Sequence, residues 1–128
     1  MKNINHKFGI QVEHQFDASH YITLPDGTVE PQHNHCWKVQ VTVETNELDN
    51  HGLVIDFIQL KGWVKAITDE FEACRSINNH PDFADIAATT ENFAFVIHSR
   101  LSDLLPARVK LTRVQLWEAK GCQGYYET

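Results

Sequence analysis

Three histidines, His20, His33 and His35, have the residue type and the spacing of a metal site. His20 ends a segment, residues 8 to 20, in which apolar and polar residues alternate, and His33 and His35 open a second alternating segment. A period of two is typical of a half-buried strand, so all three imidazoles are expected on core-facing rows. A buried imidazole needs a partner, and three neutral imidazoles that leave a fourth position free are typical of catalytic zinc. The alternative is three separate histidines that are hydrogen-bonded in the core or in loops.

Glu118 is the next residue whose position suggests chemistry. Val114, Leu116 and Glu118 have the same parity, so the carboxylate closes an apolar row of a predicted strand. A buried carboxylate needs hydrogen-bond donors, and adjacent N–H groups such as those on the edge of a pterin or guanine would supply two. The alternative is a solvated strand end or an ion pair with Lys120 or Arg113.

The elements that position these residues are predicted in the order strand, strand, helix, helix, strand, strand, with the last two strands at residues 109 to 118 and 121 to 126. Asp56 is expected to cap the first helix, and residues 89 to 91 are expected to start the second, which Pro106 helps to end. The apolar stripe predicted for the first helix comprises Phe57, Leu60, Val64, Ile67, Phe71 and Cys74, and that of the second comprises Phe93, Val96, Ile97, Leu101 and Leu104.

Length and composition indicate a single domain, residues 1 to 128, with 42% hydrophobic residues to form one core. The N-terminal stretch MKNINHKFGI lacks the apolar run of a signal peptide. No segment has the roughly 20 apolar residues of a membrane span, so a soluble, cytoplasmic protein is expected. The net charge of −6 argues against nucleic acid as a partner, and three cysteines without a CxxC pair argue against a disulfide framework.

Five short motifs together resemble those of a known family. They are, in order, Phe16-Asp17-Ala18-Ser19-His20, His33-Asn34-His35, Gly52-Leu53-Val54-Ile55-Asp56-Phe57 with Leu60-Lys61, Thr89-Thr90-Glu91-Asn92, and Leu116-Trp117-Glu118. Each motif is weak alone, but the five occur in the family's order and at its separations over residues 16 to 118. The chain therefore resembles the 6-pyruvoyl-tetrahydropterin synthase and 6-carboxy-tetrahydropterin synthase family.

The resemblance implies an α+β fold, the tunnelling fold (T-fold), in which a four-stranded antiparallel sheet carries two helices on one face in the order ββααββ. It also implies a homo-oligomer, either a hexamer formed by two trimers or a trimer, with its sites between protomers. The substrate would be a small pterin, and neither nucleic acid nor a membrane would be a partner.

The resemblance also assigns roles to particular residues. The matches are His20, His33 and His35 for the zinc ligands, Glu118 for the carboxylate that anchors the pterin ring, and Thr89, Thr90 and Glu91 for the rim of the pterin pocket. Zinc would then act as a Lewis acid on the side-chain hydroxyls of a dihydroneopterin triphosphate-like substrate.

The chain departs from the family at its proton-transfer residues. Family members carry a cysteine four residues before the first histidine of the His-x-His pair, where this chain has Val29, which cannot transfer a proton. The family's Asp-His pair is expected to fall on Glu72-Ala73 or Ala73-Cys74, and neither is an aspartate followed by a histidine. His80 lies nearby in a predicted turn. Asn34 stands where glycine is usual between the ligands, which predicts a changed backbone or a polar contact in the pocket.

Glu30 is a candidate substitute base. A branch of the family that forms 6-hydroxymethyl-dihydropterin uses a glutamate at this position in place of the cysteine. A carboxylate near zinc would be a base for retro-aldol cleavage of the side-chain carbon bond, if partial burial raised its pKa. The alternative is an ordinary loop acid within residues 25 to 31.

The three cysteines receive different predictions. Cys74 continues an apolar helical stripe and is expected to be a buried structural thiol. Cys36 has the opposite parity to His33 and His35, so it is expected to point away from the metal. Cys122 follows Glu118 closely and is a candidate to line the pocket.

The predicted function is a zinc-dependent lyase of this family that acts on a dihydroneopterin triphosphate-like pterin and releases a 6-hydroxymethyl or 6-carboxy pterin, with Glu30 as base. The alternative is a catalytically impaired pterin- or purine-binding zinc protein that has lost the family's proton relay. A purely structural protein is a third interpretation. The sequence leaves open the substrate and product, the pathway (queuosine, biopterin or folate) and the size of the oligomer.

Overall fold

The computed structural model describes residues 6–128 and contains one four-stranded sheet and two α-helices. The strands are β1 (Phe8–His20), β2 (His33–Thr45), β3 (Lys110–Ala119) and β4 (Cys122–Glu127), and the helices are α1 (Phe57–Ala73) and α2 (Thr90–Ser102). Two single-turn 3₁₀ helices, Ile77–Asn79 and Pro81–Phe83, lie between α1 and α2. The strands are antiparallel in the order β1-β2-β3-β4. The predicted α+β fold with element order ββααββ is confirmed.

The sequence predicts no membrane-spanning segment. Among residues 6–128, no helix is long and apolar enough to cross a membrane. The N-terminal stretch in which no signal peptide is predicted lies partly outside the described residues, which begin at residue 6. The cytoplasmic location stays a prediction.

The hydrophobic core lies between the sheet and the two helices. Trp37, Phe71 and Phe93 are its largest fully buried side chains. Their rings meet edge to face, with centroids 5.3 Å apart for Trp37 and Phe93 and 4.9 Å apart for Phe71 and Phe93. Burial of each such side chain contributes about 1.5–3 kcal/mol. The ring centroids of Trp37 and His20 are 5.1 Å apart, so the core packs directly against the first candidate ligand.

The pairing of β1 with β2 sets the three histidines close together. His20 is paired with His33, and Ala18 is paired with His35. Directly facing residues in an antiparallel pair have Cβ atoms about 4.5–5.5 Å apart, and diagonal neighbours are still within reach. All three imidazoles therefore lie at one end of the sheet on the same face.

A register irregularity in β3 changes which residues face the core. The pairing of β2 with β3 shifts between Thr42 and Val43. As a result, Leu111 and Val114 are both buried although they are three positions apart. A β-bulge adds one residue to a strand and reverses the parity beyond it, which simple alternation does not reveal.

The start of α1 agrees with the sequence prediction, but its apolar stripe is shorter. Asp56 caps the helix by accepting the N–H of Ile58 at 2.7 Å. Phe57, in the first turn, is 56% exposed. Cys74 is the C-cap residue in extended conformation and is only partly buried, so the predicted buried thiol is wrong. The helix has ended at this point, and its periodicity no longer directs the side chain into the core.

The end of α2 also comes earlier than predicted. Thr89 caps the helix by accepting the N–H of Asn92 at 3.1 Å, as expected. The last helical residue is Ser102, so Pro106 is too distant to end the helix. Leu104 is 45% exposed, and its predicted place in the apolar stripe is wrong because it lies beyond the last turn.

His98 makes the stability of the fold sensitive to acid. It is buried on α2, with Nε2 3.0 Å from the carbonyl of Leu111 and its ring against Tyr126. Burial lowers the pKa of His98 below its ordinary value of 6.5, although the Leu111 carbonyl acts in the opposite direction. Between pH 6.5 and the lowered pKa, the unfolded chain therefore binds more protons at His98 than the folded chain does. The free energy of unfolding should fall as the pH drops from that value toward the lowered pKa, by about 1.4 kcal/mol per pH unit at the steepest.

Denaturant unfolding at a series of pH values, with a chelator present to exclude metal linkage, measures this slope. His98→Gln is the control, because glutamine keeps an N–H donor toward the Leu111 carbonyl but does not titrate. Its unfolding free energy should depend less on pH between pH 6.5 and the lowered pKa. An equal slope for both proteins would contradict the prediction.

Candidate metal centre and ligand cleft

His20, His33, His35 and Glu118 form one cluster at the end of the sheet. One possible ligand atom from each residue lies within 4.8 Å of those of the others. The ring centroids are 4.7 Å apart for His20 and His33, 5.2 Å for His20 and His35, and 4.7 Å for His33 and His35. The structure thus brings together the three histidines that the alternation predicts to converge, and it adds a carboxylate to them.

Backbone carbonyls orient two of the imidazoles. Nδ1 of His20 lies 2.8 Å from the carbonyl oxygen of Ala88, and Nδ1 of His33 lies 2.8 Å from that of Pro31. Because a carbonyl oxygen only accepts, these Nδ1 atoms carry the proton, and in a neutral ring Nε2 then has a free lone pair. Metal-bound histidines are commonly held in this way by a hydrogen bond from their other nitrogen.

The Nε2 atoms of His20 and His35 are buried and have no hydrogen-bond partner within residues 6–128. An oxygen of Glu118 lies 2.8 Å from the first and 3.1 Å from the second, but neither contact has hydrogen-bond geometry. A buried polar atom without a partner costs about 1–3 kcal/mol. Two such nitrogens that converge with a third imidazole and a carboxylate fit a divalent cation, and this donor set suits Zn²⁺ and other first-row ions.

His35 is electrostatically suited to donate a lone pair. Burial lowers the pKa of His35 below its ordinary value of 6.5, and the neighbouring His20 and His33 lower it as well, whereas the Glu118 carboxylate opposes this shift. A lowered pKa keeps the ring neutral at neutral pH. Protons then compete less with a metal ion for the nitrogen.

Glu118 lies at a second register irregularity of β3, and its carboxylate lies beside the histidines, on the side that its parity with Val114 and Leu116 predicts. The side chain is 30% exposed, so the carboxylate that closes this apolar row is only partly buried. The ion pair expected under the alternative is also not formed among residues 6–128. Arg113 instead contacts Glu127 at 3.0 Å, and Lys120 makes no contact with Glu118 within ion-pair distance.

A cleft of about 420 Å³ opens beside Glu118. Its lining residues are Thr90, Glu91, Glu118, Cys122, Gln123, Gly124 and Tyr125. Thr90, Glu91 and Cys122, which the sequence places at the pocket, therefore line the cleft. Thr89 is not among the lining residues and caps α2 instead. The volume is in the range of small-molecule sites, about 300–1,000 Å³.

Gly124 allows β4 to approach the first turn of α2, where the cleft is formed. A Cβ atom at this position would lie 3.3 Å from Cγ2 of Thr90, which is closer than ordinary van der Waals contact. Gln123, Gly124 and Tyr125 also line the cleft and were not predicted from the sequence. Their spacing has no metal or catalytic signature, and only the packing of β4 on α2 brings them to the cleft.

Glu30 borders the histidine cluster. One carboxylate oxygen lies 3.7 Å from Nε2 of His33 and accepts the N–H of Ile22 at 3.0 Å, and the side chain is 25% exposed. Val29, at the position of the family's cysteine, is 60% exposed. The sequence left two alternatives for Glu30, an ordinary loop acid or a base beside the metal. The structure gives it a loop contact with Ile22 and also places it next to His33, a candidate metal ligand.

The residues around the end of α1 do not rebuild the family's Asp-His pair. Glu72 accepts the N–H of Asp17 at 3.1 Å. His80 has Nε2 3.3 Å from Glu70, and its Nδ1 accepts the N–H of Asp82 at 3.1 Å. Both nitrogens of His80 are thus engaged away from the histidine cluster, so the structure does not bring it into the site.

Asn34 and Cys36 lie on the opposite side of β2 from the ligands. Oδ1 of Asn34 accepts the hydroxyl of Ser19 at 3.2 Å in an exposed position, so the expected polar contact in the pocket is not made. Cys36 is exposed, which agrees with the prediction that it points away from the metal. Alternate side chains of a strand lie on opposite faces, and the two histidines take the inner one.

A family model described as 6-pyruvoyl tetrahydropterin synthase matches residues 9–128. The chain belongs to the 6-pyruvoyl tetrahydropterin synthase family. One curated relative, dihydroneopterin monophosphate aldolase of Pyrococcus furiosus, is 37% identical over 103 residues, which are 80% of this chain and 82% of that protein. The resemblance inferred from the five motifs is confirmed.

Solved structures of 6-pyruvoyl tetrahydropterin synthases share the fold. The Caenorhabditis elegans protein superposes with a TM-score of 0.78 at 18% identity and 96% coverage of both chains. The Plasmodium vivax protein in which a catalytic glutamate is replaced by alanine superposes with a TM-score of 0.74 at 16% identity, covering 97% of this chain and 99% of that one. The T-fold implied by the resemblance is confirmed.

Proposed function

We propose that this chain is a zinc-dependent lyase that cleaves a carbon–carbon bond in the side chain of a phosphorylated dihydroneopterin and releases a 6-hydroxymethyl pterin, with Glu30 as base. The central observation is the Glu30 carboxylate, 3.7 Å from Nε2 of His33, next to a valine at the family's cysteine position. The Pyrococcus furiosus relative is named as an aldolase, and the Plasmodium vivax protein has a catalytic glutamate. The first name supports cleavage of the aldolase type, and the second supports a glutamate as a catalytic residue in this family.

Glu30 would take the proton from the hydroxyl on the second side-chain carbon. The bond between the first and second side-chain carbons then breaks, the second carbon becomes that of an aldehyde, and the electron pair passes to the first carbon. Return of the proton from Glu30 to the first carbon gives the 6-hydroxymethyl pterin, and the released two-carbon aldehyde is glycolaldehyde that still carries the phosphate ester of the substrate. Atoms and electrons balance without an oxidant, and one positioned base serves both proton transfers.

His20, His33 and His35 would hold the zinc. When bound, zinc lowers the pKa of hydroxyl groups that coordinate it and stabilises negative charge on oxygen. The histidines contribute neutral nitrogen donors, and the carbonyls that accept from Nδ1 of His20 and His33 keep the rings oriented before the metal arrives.

The cleft would bind the pterin ring. Glu118 would accept two adjacent N–H groups of the ring, while Thr90 and Glu91 line the rim and Thr89 fixes the start of α2. Because β4 is an edge strand and lines the cleft, a second protomer beside β4 would close the cleft further. We therefore also propose a homo-oligomer, a trimer or a hexamer of two trimers, as the active form.

The proposal is tested by incubating purified, zinc-assayed protein with dihydroneopterin monophosphate and, separately, with the triphosphate, followed by mass analysis of the products. A 6-hydroxymethyl pterin together with glycolaldehyde phosphate or its triphosphate analogue is expected. A 6-pyruvoyl or 6-carboxy product would contradict the aldolase branch and place the chain with the synthases.

A catalytically impaired pterin- or purine-binding zinc protein is the second candidate. It is favoured by the end of α1, where the family's Asp-His pair falls on Glu72-Ala73 or Ala73-Cys74 and is not matched. The engagement of His80 elsewhere favours it as well. This candidate predicts one zinc per chain and tight binding of a pterin, with no product from either substrate.

Replacing Glu118 with glutamine should weaken the binding of 6-hydroxymethyl-dihydropterin by about 10- to 100-fold, because a charge-assisted hydrogen bond is worth about 1.5–3 kcal/mol. The glutamine side chain has an NH₂ donor in place of one carboxylate oxygen, so it can accept only one of the two adjacent N–H groups of the pterin ring. Zinc content should be retained, since the three histidines remain. Fluorescence titration of the pterin measures the affinity.

Glu127→Gln is the matched control for this experiment. Glu127 is an exposed glutamate on β4 that pairs with Arg113 and does not line the cleft. Its variant should bind the pterin as the wild type does. Wild-type affinity in the Glu118 variant would remove Glu118 from the pterin site.

A further inference from the structure

Asn78 holds the backbone of Tyr21 at two points. Its Oδ1 accepts the N–H of Tyr21 at 3.0 Å, and its Nδ2 donates to the carbonyl of Tyr21 at 2.9 Å. These are the two hydrogen bonds that a neighbouring antiparallel strand makes to one residue. Tyr21 directly follows β1, which is an edge strand. The side chain of Asn78 therefore takes the place of a strand neighbour just beyond the end of β1.

Asn78 is itself fixed by Ser76. The Ser76 hydroxyl donates to Oδ1 of Asn78 at 3.0 Å and accepts the N–H of Asn78 at 3.2 Å, and Ser76 is fully buried. An amide oxygen only accepts and an amide nitrogen only donates, so these contacts determine which way the Asn78 side chain is turned. Its orientation is thus set by a buried residue of its own segment and not only by Tyr21.

Tyr21 lies between two residues of the proposed site. His20 immediately precedes it, and Ile22, which follows it, donates its N–H to the Glu30 carboxylate at 3.0 Å. Fixing the N–H and the carbonyl of Tyr21 therefore restrains the backbone on both sides. One side carries a proposed metal ligand, and the other carries the donor that orients the proposed base.

A second contact joins the same segment to the start of β2. The side-chain amide of Gln32 donates to the carbonyl of Arg75 at 2.8 Å. Gln32 directly precedes His33, whose Nε2 lies 3.7 Å from Glu30. Residues 75–78 thus contact the chain next to both His20 and His33.

We infer that Asn78 is a positioning residue for the metal centre and for Glu30. The inference rests on the proposed function, because it concerns the alignment of the groups assigned there. The family's Asp-His pair is not matched at the end of α1 in this chain. Residues 75–78, which follow that position, instead align the metal ligands and Glu30 through contacts with the backbone. Asn78 touches neither substrate nor metal in this scheme, and its effect passes through Tyr21 and Ile22.

The test compares Asn78→Ala with Asn46→Ala, using Co²⁺ as the probe ion. Asn46 is the matched control, because its amide donates to the carbonyl of His6 at 2.8 Å near the opposite end of β1. Asn78→Ala should lower the Co²⁺ affinity by about 10- to 100-fold, the usual effect of losing a group that orients metal ligands. The visible absorption spectrum of bound Co²⁺ should also change, since it reports ligand geometry. Both properties should be unchanged in Asn46→Ala.

Asn78→Asp provides a second variant that keeps an acceptor for the N–H of Tyr21 but loses the donor to its carbonyl. It should show a smaller loss of Co²⁺ affinity than Asn78→Ala, and it replaces the alanine variant if that one does not fold. Equal Co²⁺ affinity and equal spectra for the Asn78 variants and Asn46→Ala would overturn the inference.

Product assays separate this inference from the proposed function. A wild-type protein that binds Co²⁺ and responds to the Asn78 variants as described, but cleaves no pterin, would contradict the lyase and support the positioning role. Normal cleavage and unchanged Co²⁺ affinity in Asn78→Ala would contradict the positioning role alone. A wild-type protein that bound no Co²⁺ would overturn both.

Discussion

Replacing Glu30 with glutamine should lower the turnover of phosphorylated dihydroneopterin by about 10²- to 10⁴-fold, which is the usual contribution of a general base. The amide oxygen of glutamine can still accept the N–H of Ile22, which Glu30 accepts at 3.0 Å, so the loop should keep its conformation. The amide cannot take up the hydroxyl proton. The loss should therefore appear in kcat more than in KM, and steady-state assays of product release measure both.

Glu13→Gln is the control for the Glu30 variant. Glu13 lies on β1 with a side chain that is 51% exposed, and it contacts Lys38 and Gln40 outside the site. The Glu13 variant should turn over substrate at the wild-type rate. Equal rates in the Glu30 and Glu13 variants would rule out Glu30 as the base and leave it as a residue that ties the loop.

Replacing His33 with alanine should lower the affinity for Zn²⁺ by more than about 100-fold, because loss of a group that merely orients a ligand already costs about 10- to 100-fold. The His33 side chain is 37% exposed, so little packing is lost with it. Turnover should be lost together with the metal. Competition with a chromophoric chelator measures the affinity, and metal analysis gives the zinc content per chain.

His14→Ala is the control for the His33 variant. His14 belongs to the same alternating row of β1 as His20, but it lies outside the cluster and packs 6.5 Å from Phe16. Its variant should keep the wild-type zinc affinity. Undiminished zinc affinity in the His33 variant would contradict a site built on three histidines.

Local patterns were sufficient to predict which face of the sheet the histidines occupy. The direction of a side chain in a strand follows from its parity, which is read directly from neighbouring residues. His20, His33 and His35 lie on inner rows for this reason. The caps of the helices, Asp56 and Thr89, were predictable on the same grounds, because a cap bonds to N–H groups two or three residues away.

The ends of the helices and the irregularities of β3 were less predictable. Cys74 and Leu104 match the periodicity of their helices, but each helix has ended before its pattern does. The burial of Leu111 together with Val114 depends on the register irregularity between β2 and β3, and a strictly alternating pattern contains no sign of an extra residue. The residue at which a helix ends, and the position of an extra residue in a strand, depend on packing against neighbouring elements as well as on the local sequence.

The parity of neighbouring residues singled out the three histidines and Glu118 as candidates, and the resemblance to the family singled out Glu30. Only the tertiary structure revealed what holds them. The carbonyl that orients His20 belongs to Ala88, 68 residues away, and Asn78 contacts Tyr21 across 57 residues. Such contacts arise when the connection between α1 and α2 folds back onto the end of the sheet, and local sequence patterns contain no information on pairs so distant in the chain.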